Sequence, residues 1–203
     1  MKNTDDEYIK ILQKDRIMKK IIQNVGPCTI RKIPNPFEAL IDAIITQQIS
    51  DSAGQAVALR FRHLFNDKFP TPEIILEYTE DQLKNVGLSR MKSQYILDIS
   101  YKVINGELNF KKFAKLEDEE IISELIKIRG IGRWTAEMYL IFGLGRKDIF
   151  PLGDLGLING IKKIYSLKNP EMSEITRISD KWKPYRTFGT WYIWKGVKNF
   201  QYV

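Results

Sequence analysis

Apolar residues recur at helical spacing along almost the whole chain, and polar caps or glycines separate the runs. Asn35-Pro36-Phe37-Glu38 reads as a helix start: a capping side chain, a proline at the first helical position, and a glutamate placed to bond back to the cap. Leu40, Ile41, Ile44 and Ile45 then form one apolar face, which stops where Thr46-Gln47-Gln48-Ile49-Ser50 turns polar. Ser50 or Asp51 opens the next helix, through Ala53, Val57, Phe61 and Leu64. Thr71-Pro72 begins a short helix, Thr79 and Gln82 spell a capping box, and Gly87 ends the helix after it. Ser89 starts another through Met91, Tyr95, Ile99 and Val103, closed by Asn105-Gly106. Asp118 is expected to cap a helix bearing Ile121, Ile122 and Leu125. Thr135 to Phe142 is apolar nearly all round and reads as a buried central helix, with Gly143 and Gly145 as its C-terminal turn. Strand-like alternation is confined to Cys28–Ile33, so the pattern predicts an all-α fold.

Two of these helices are joined by Arg129-Gly130-Ile131-Gly132-Arg133-Trp134-Thr135-Ala136, the letters of a helix-hairpin-helix. Glycine is expected on both sides of Ile131, because the turn asks for φ > 0 and a Cβ would hold the backbone off a ligand. N–H groups opening the second helix would form an anion site, strengthened by the helix dipole. A plain αα-hairpin uses the same glycines. Arg129 and Arg133 beside the turn favour a nucleic-acid phosphate. Leu83 to Lys92 is a partial echo in which Lys92 would give a second phosphate contact, and a coincidental helix–turn–helix reads equally well.

Composition narrows the classes. A net charge of +7 over 203 residues favours a polyanionic partner, although it serves solubility as well. One cysteine, Cys28, leaves no intrachain disulfide and no cysteine-ligated zinc or iron–sulfur cluster. The one histidine, His63, sits in the Phe61–Phe65 run, where a surface or packing role is expected. Met1 to Glu7 has no apolar signal-peptide core and no run is long enough to span a bilayer, so a soluble, cytoplasmic protein without membrane association is expected.

Phe150-Pro151-Leu152-Gly153-Asp154-Leu155 follows the hairpin, and Pro151 forces a break before a helix beginning near Asp154. Asp154 reads as an N-cap, and a second role is compatible with it. The helix N-terminus favours the charged form of a carboxylate there. Beside a phosphate-anchored sugar, that charge would stabilise the cation formed as an N-glycosidic bond breaks, and would orient a water to capture it. Trp134 opens the second hairpin helix, and Trp182, Tyr185, Trp191, Tyr192 and Trp194 crowd the C-terminal region. Most are expected in the core; Trp134 and Trp194 are the candidates for walls around an extruded base. A cationic alkylated purine would gain from stacking on indole.

The hairpin with Trp134-Thr135-Ala136, Phe150-Pro151 before Asp154, Gln47-Gln48-Ile49-Ser50, Phe69-Pro70-Thr71-Pro72 and Trp182-Lys183-Pro184-Tyr185-Arg186 together resemble the DNA-3-methyladenine glycosylase II family, within the helix-hairpin-helix base-excision glycosylases. The match runs from about Leu12 to Trp194. It implies two helical lobes with the active-site cleft between them. Residues 36–146 would be a six-helix lobe carrying the hairpin, and residues 1–35 with 147–203 a second lobe carrying the catalytic aspartate. Asp154 matches that aspartate. Gln48 matches the residue that wedges into the gap left by a flipped nucleotide, and Trp134 and Trp194 match pocket aromatics. Phe37, Met138 and Tyr185 are further pocket candidates. Gln47, Arg129, Gly130, Gly132, Arg133, Thr135 and Lys92 join Gln48 as DNA-binding candidates. The resemblance also implies a monovalent cation, Na+ or K+, on the main-chain carbonyls of Ile126, Ile128 and Ile131.

Bifunctional relatives place a lysine where this chain has Trp134, so a monofunctional hydrolase without lyase activity is expected. The expected function is flipping and hydrolytic release of alkylated purines from double-stranded DNA by a monomer. Two alternatives stay open: a non-catalytic helix-hairpin-helix protein that binds DNA structure or damage, and a glycosylase for another lesion such as hypoxanthine.

Overall fold

The structure, a computed structural model, describes residues 5–199. Residues 1–4 and 200–203, the outermost parts of the expected terminal lobe, lie outside the described residues. In chain order the helices are α1 (Asp5–Leu12), α2 (Arg16–Val25), α3 (Pro36–Thr46), α4 (Asp51–Leu64), α5 (Pro72–Leu76), α6 (Glu80–Lys84) and α7 (Arg90–Ile104). Then come α8 (Phe110–Phe113), α9 (Asp118–Leu125), α10 (Arg133–Met138), a π-helical stretch (Tyr139–Leu144), α11 (Leu155–Ile164), α12 (Met172–Asp180) and α13 (Arg186–Asn199). Among the described residues there is no strand, and Cys28–Ile33 is irregular. The fold is all-α.

The chain divides into two compact units, Ile33–Leu144 and the pair Met1–Lys32 with Gly145–Val203. In the contiguous unit α3 is the axis. Its buried set includes Phe37, Ala39 and Ala43 besides the four expected residues, so it is covered on nearly every side, by α4, α7, α10 and the π-helical stretch. The unit holds eight α-helical segments among the described residues, where six helices were expected; α5, α6 and α8 have only four or five residues.

The Asn35 carboxamide accepts from the N–H groups of Phe37 (3.0 Å) and Glu38 (3.4 Å), with Pro36 in the first turn. The expected back-bond from Glu38 is replaced by an ion pair: Arg62 of α4 donates to Glu38 (3.0 Å) and to Asp42 (2.6 Å). A charged donor outcompetes a backbone N–H for that carboxylate. Asn35→Ala is expected to lower stability by about 1 kcal/mol in urea denaturation, the typical value of one N-cap.

The second unit is built from both ends of the described chain. Its core gathers Leu12, Met18, Ile21, Leu157, Ile161, Ile175, Trp182, Tyr192 and Ile193, all essentially inaccessible to solvent. Tyr8 stacks on Phe188 at 4.3 Å between ring centres, and the Tyr192 hydroxyl donates to the Gly26 carbonyl. Tyr165 donates to Asp15, the residue that caps α2. Burial, with that carboxylate beside it, pushes the Tyr165 phenol well above the usual range.

Candidate nucleic-acid interface and catalytic carboxylate

Two of the expected caps are displaced. α9 is capped at Glu117, not Asp118, through a capping box in which Glu120 accepts the Glu117 N–H at 2.8 Å. The second hairpin helix starts at Arg133 and widens into the π-helical stretch from Tyr139, so Gly143 lies within its last turn and does not follow it. A Cβ on Gly143 would meet the Tyr139 ring at 2.8 Å, which is why the widened turn holds a glycine there. Gly145 does take a positive φ, 71°.

At the hairpin, α9 ends near Ile126 and α10 begins after Gly132. Gly130 has φ 89°, and a Cβ there would sit 2.3 Å from the Tyr95 ring. Gly132 differs from expectation: its φ of −93° is extended and a Cβ would meet nothing within 4 Å. The requirement for positive φ therefore falls on one glycine alone, and Gly132 keeps only the role of leaving the approach open. No side chain caps α10. Ile131 is buried and anchors the turn from below.

The arginines beside the turn diverge. Arg129 is exposed, with its guanidinium 5.9 Å from the centre of the Tyr95 ring. Arg133 is held by Glu119 (Nη1 to Oε2, 3.0 Å) and by the buried Glu137 (3.1 Å). The Glu119 hydrogen bonds hold the Arg133 pKa above its usual value. Nothing in the local sequence signals this clamp, because Glu119 lies on the preceding helix.

α3 ends in a turn that reaches the hairpin. The Gln47 amide donates to the Gly130 carbonyl (2.9 Å) and to the hydroxyl of buried Thr135 (2.7 Å). Gln48, exposed, takes φ 54°, a left-handed conformation that costs a non-glycine residue on the order of 1 kcal/mol or more. Lys92 reaches the end of α3. Its ammonium donates to the carbonyls of Ile45 and Gln47, both at 2.8 Å, and burial lowers its pKa from the usual lysine value. Its echo motif forms a helix–turn–helix of α6 and α7, with Gly87 at φ 98°.

Asp154 lies in the other unit. It is half-buried and caps α11, its Oδ1 accepting the Leu157 N–H at 2.6 Å. The loop before it is pinned to the start of α13. Arg186 grips the Asp148 carboxylate with two donors at 2.9 Å, while Thr187 accepts from the Ile149 N–H (2.9 Å) and donates to the Arg146 carbonyl (2.8 Å). These bonds fix where the chain re-enters at Pro151 and hence where the Asp154 cap stands.

Of the four tryptophans, Trp182 and Trp191 are buried core residues, whereas Trp134 and Trp194 are half-buried. Phe37 and Met138 are 4% and 5% exposed, and Phe37 packs edge-on against Phe69, so both are core residues of the contiguous unit. Tyr185 is tied elsewhere: its hydroxyl donates to Glu7 (2.7 Å) and its ring packs on Phe188. His63 is exposed and pairs with Asp67, and Cys28 is half-buried. Among the described residues no group of His, Cys, Asp and Glu is arranged to hold a metal, and no helix is long and apolar enough to cross a membrane.

Residues 41–184 match the family model described as HhH-GPD superfamily base excision DNA repair protein, and the chain belongs to that superfamily. It is 37% identical over 187 residues to the alkylbase DNA glycosidase-like protein mag2 of Schizosaccharomyces pombe, covering 89% of this chain and 88% of that one. It is 36% identical over 187 residues to DNA-3-methyladenine glycosylase 1 of the same organism, covering 91% and 82%. Among solved structures it superposes on the S. pombe 3-methyladenine DNA glycosylase Mag1 in complex with abasic DNA with a TM-score of 0.86. That match is 34% identical and covers 97% of this chain and 98% of that one.

Proposed function

We propose that this chain is a monofunctional DNA glycosylase that flips alkylated purines of the 3-methyladenine type out of double-stranded DNA and releases them by hydrolysis, the first step of base-excision repair. The observation that carries the reading is the half-buried Asp154 carboxylate, fixed by the Leu157 N–H at the start of α11, in a chain so similar to DNA-3-methyladenine glycosylases. As the N-glycosidic bond breaks, positive charge develops on the deoxyribose. A carboxylate already oriented stabilises that charge and directs a water to the sugar carbon. Alkylation makes the base cationic and a good leaving group, so little general-acid help is needed. The half-buried indoles of Trp134 and Trp194 supply faces for a cationic base.

The hairpin turn at Gly130-Ile131-Gly132 grips a backbone phosphate, and Gln48 is the wedge. The carbonyls of Ile126, Ile128 and Ile131 suit a Na+ or K+ ion, a hard cation that takes neutral oxygen donors. The Ile128 carbonyl already accepts the Ile131 N–H at 3.1 Å and keeps a second lone pair for an ion. That ion would tie turn to phosphate and take no part in bond breaking.

Trp134 offers no amine where bifunctional enzymes carry a lysine, so no Schiff base forms. Incubation with methylated duplex DNA is expected to release 3-methyladenine and related purines. The strand should be left unbroken until alkali cleaves the abasic sites. Tight binding without any released base would overturn the catalytic reading in favour of a DNA-damage-binding protein, and nicks without alkali would overturn the monofunctional assignment.

A further inference from the structure

Gln48 adopts a left-handed backbone that its own side chain does nothing to favour, so the conformation is imposed by its neighbours. From one side the Gln47 amide is fastened to the Gly130 carbonyl and the Thr135 hydroxyl. From the other, Lys92 of α7 donates to the carbonyls of Ile45 and Gln47, groups at the C-terminal end of α3 that a helix leaves without partners. All of these bonds lie within the contiguous unit, and they join three elements: the end of α3, the start of α7 and the hairpin.

We propose that Gln47 and Lys92 are positioning residues forming a latch that presets Gln48 for insertion into the duplex and locks it to the strand-gripping turn. The proposal rests on the reading of Gln48 as the wedge. A side chain that enters a base stack works against the tendency of the bases to restack. A mobile turn would yield under that load, and ordering it on binding would cost conformational entropy. The latch removes both losses before DNA arrives. It also assigns Lys92, a basic residue in a DNA-binding unit, to an internal role with no phosphate contact.

The test uses the whole chain with Lys92→Met, Lys92→Arg, Gln47→Leu and, as reference, Gln48→Ala. The first probe is a duplex carrying a tetrahydrofuran abasic analogue beside 2-aminopurine, whose fluorescence rises on unstacking. The second is the salt dependence of Kd on undamaged duplex. Lys92→Met and Gln47→Leu are expected to lose most of the fluorescence gain, as Gln48→Ala does, and to slow single-turnover base release by about 10- to 100-fold. Lys92→Arg still donates to two carbonyls and should restore both. The salt slope of Lys92→Met should equal that of the parent. A slope reduced by about 0.9, the mark of one lost phosphate contact, together with normal fluorescence, overturns the latch. Equal losses in Lys92→Met and Lys92→Arg, or parent-like fluorescence in Lys92→Met and Gln47→Leu, overturn it too. If Gln48→Ala itself unstacks the probe normally while the parent releases bases, wedge and latch fall together and the glycosylase reading stands. If the parent releases no base but the fluorescence pattern appears, the latch stands and the enzymatic reading falls.

Discussion

Asp154→Asn is expected to reduce release of methylated bases by about 10²- to 10⁴-fold, the range for removing a group that acts in the transition state. Binding to the same duplex should be unchanged or tighter. The substitution is informative because asparagine caps helices about as well as aspartate, so the Leu157 N–H keeps an acceptor and α11 keeps its start. The charge is lost, and one acceptor oxygen becomes a donor, while the cap is kept. Asp154→Ala removes charge and cap together, and should therefore add roughly 1 kcal/mol of instability to the same catalytic loss. Single-turnover rates of base release, measured beside urea denaturation, separate the two effects. Parent-like release by Asp154→Asn would move the chemistry to another group.

Gly130→Val and Gly132→Val should fail in different ways. At Gly130 a valine meets a φ of 89° and the Tyr95 ring at 2.3 Å from its Cβ. Backbone strain and overpacking together are expected to cost about 2–4 kcal/mol, read as a lower urea midpoint. At Gly132 the backbone is extended and the Cβ position open, so the protein should fold with a loss of no more than about 1 kcal/mol from the poorer cap. Its DNA affinity should nevertheless fall about tenfold, the worth of one phosphate's hydrogen bonds, and by the same factor on damaged and undamaged duplexes. Affinity loss confined to one lesion, or none at Gly132→Val, would remove the phosphate cradle from this turn.

Short-range signals carried most of the architecture. Asn35, Ser50, Thr71, Thr79, Ser89 and Asp154 cap where their positions before apolar runs place them, because a cap bond spans only two or three residues. Misreadings arise where a distant group intervenes. Glu38 is diverted by Arg62 from 24 positions away, and Lys92 is drawn inward by the end of α3, 45 and 47 positions away. Glu117 displaces Asp118 as a cap because Glu120 can answer it from N3. The π-helical stretch at Tyr139 could not be told from an ordinary helix, since apolar letters on all sides fit both. The Gln47 bonds to Gly130 and Thr135 span 83 and 88 positions and leave no trace in spacing.

The contiguous unit, Ile33 to Leu144, has its whole core available as it leaves the ribosome, whereas the other must wait. Tyr192 closes onto Gly26 across 166 positions, so at about 5–20 residues per second α1 and α2 trail their apolar faces for roughly 10 to 30 s before α13 exists to cover them. A message truncated ahead of α13 yields a polypeptide that keeps the whole contiguous unit with its Gly130 turn and leaves α2 without the helix that packs on it.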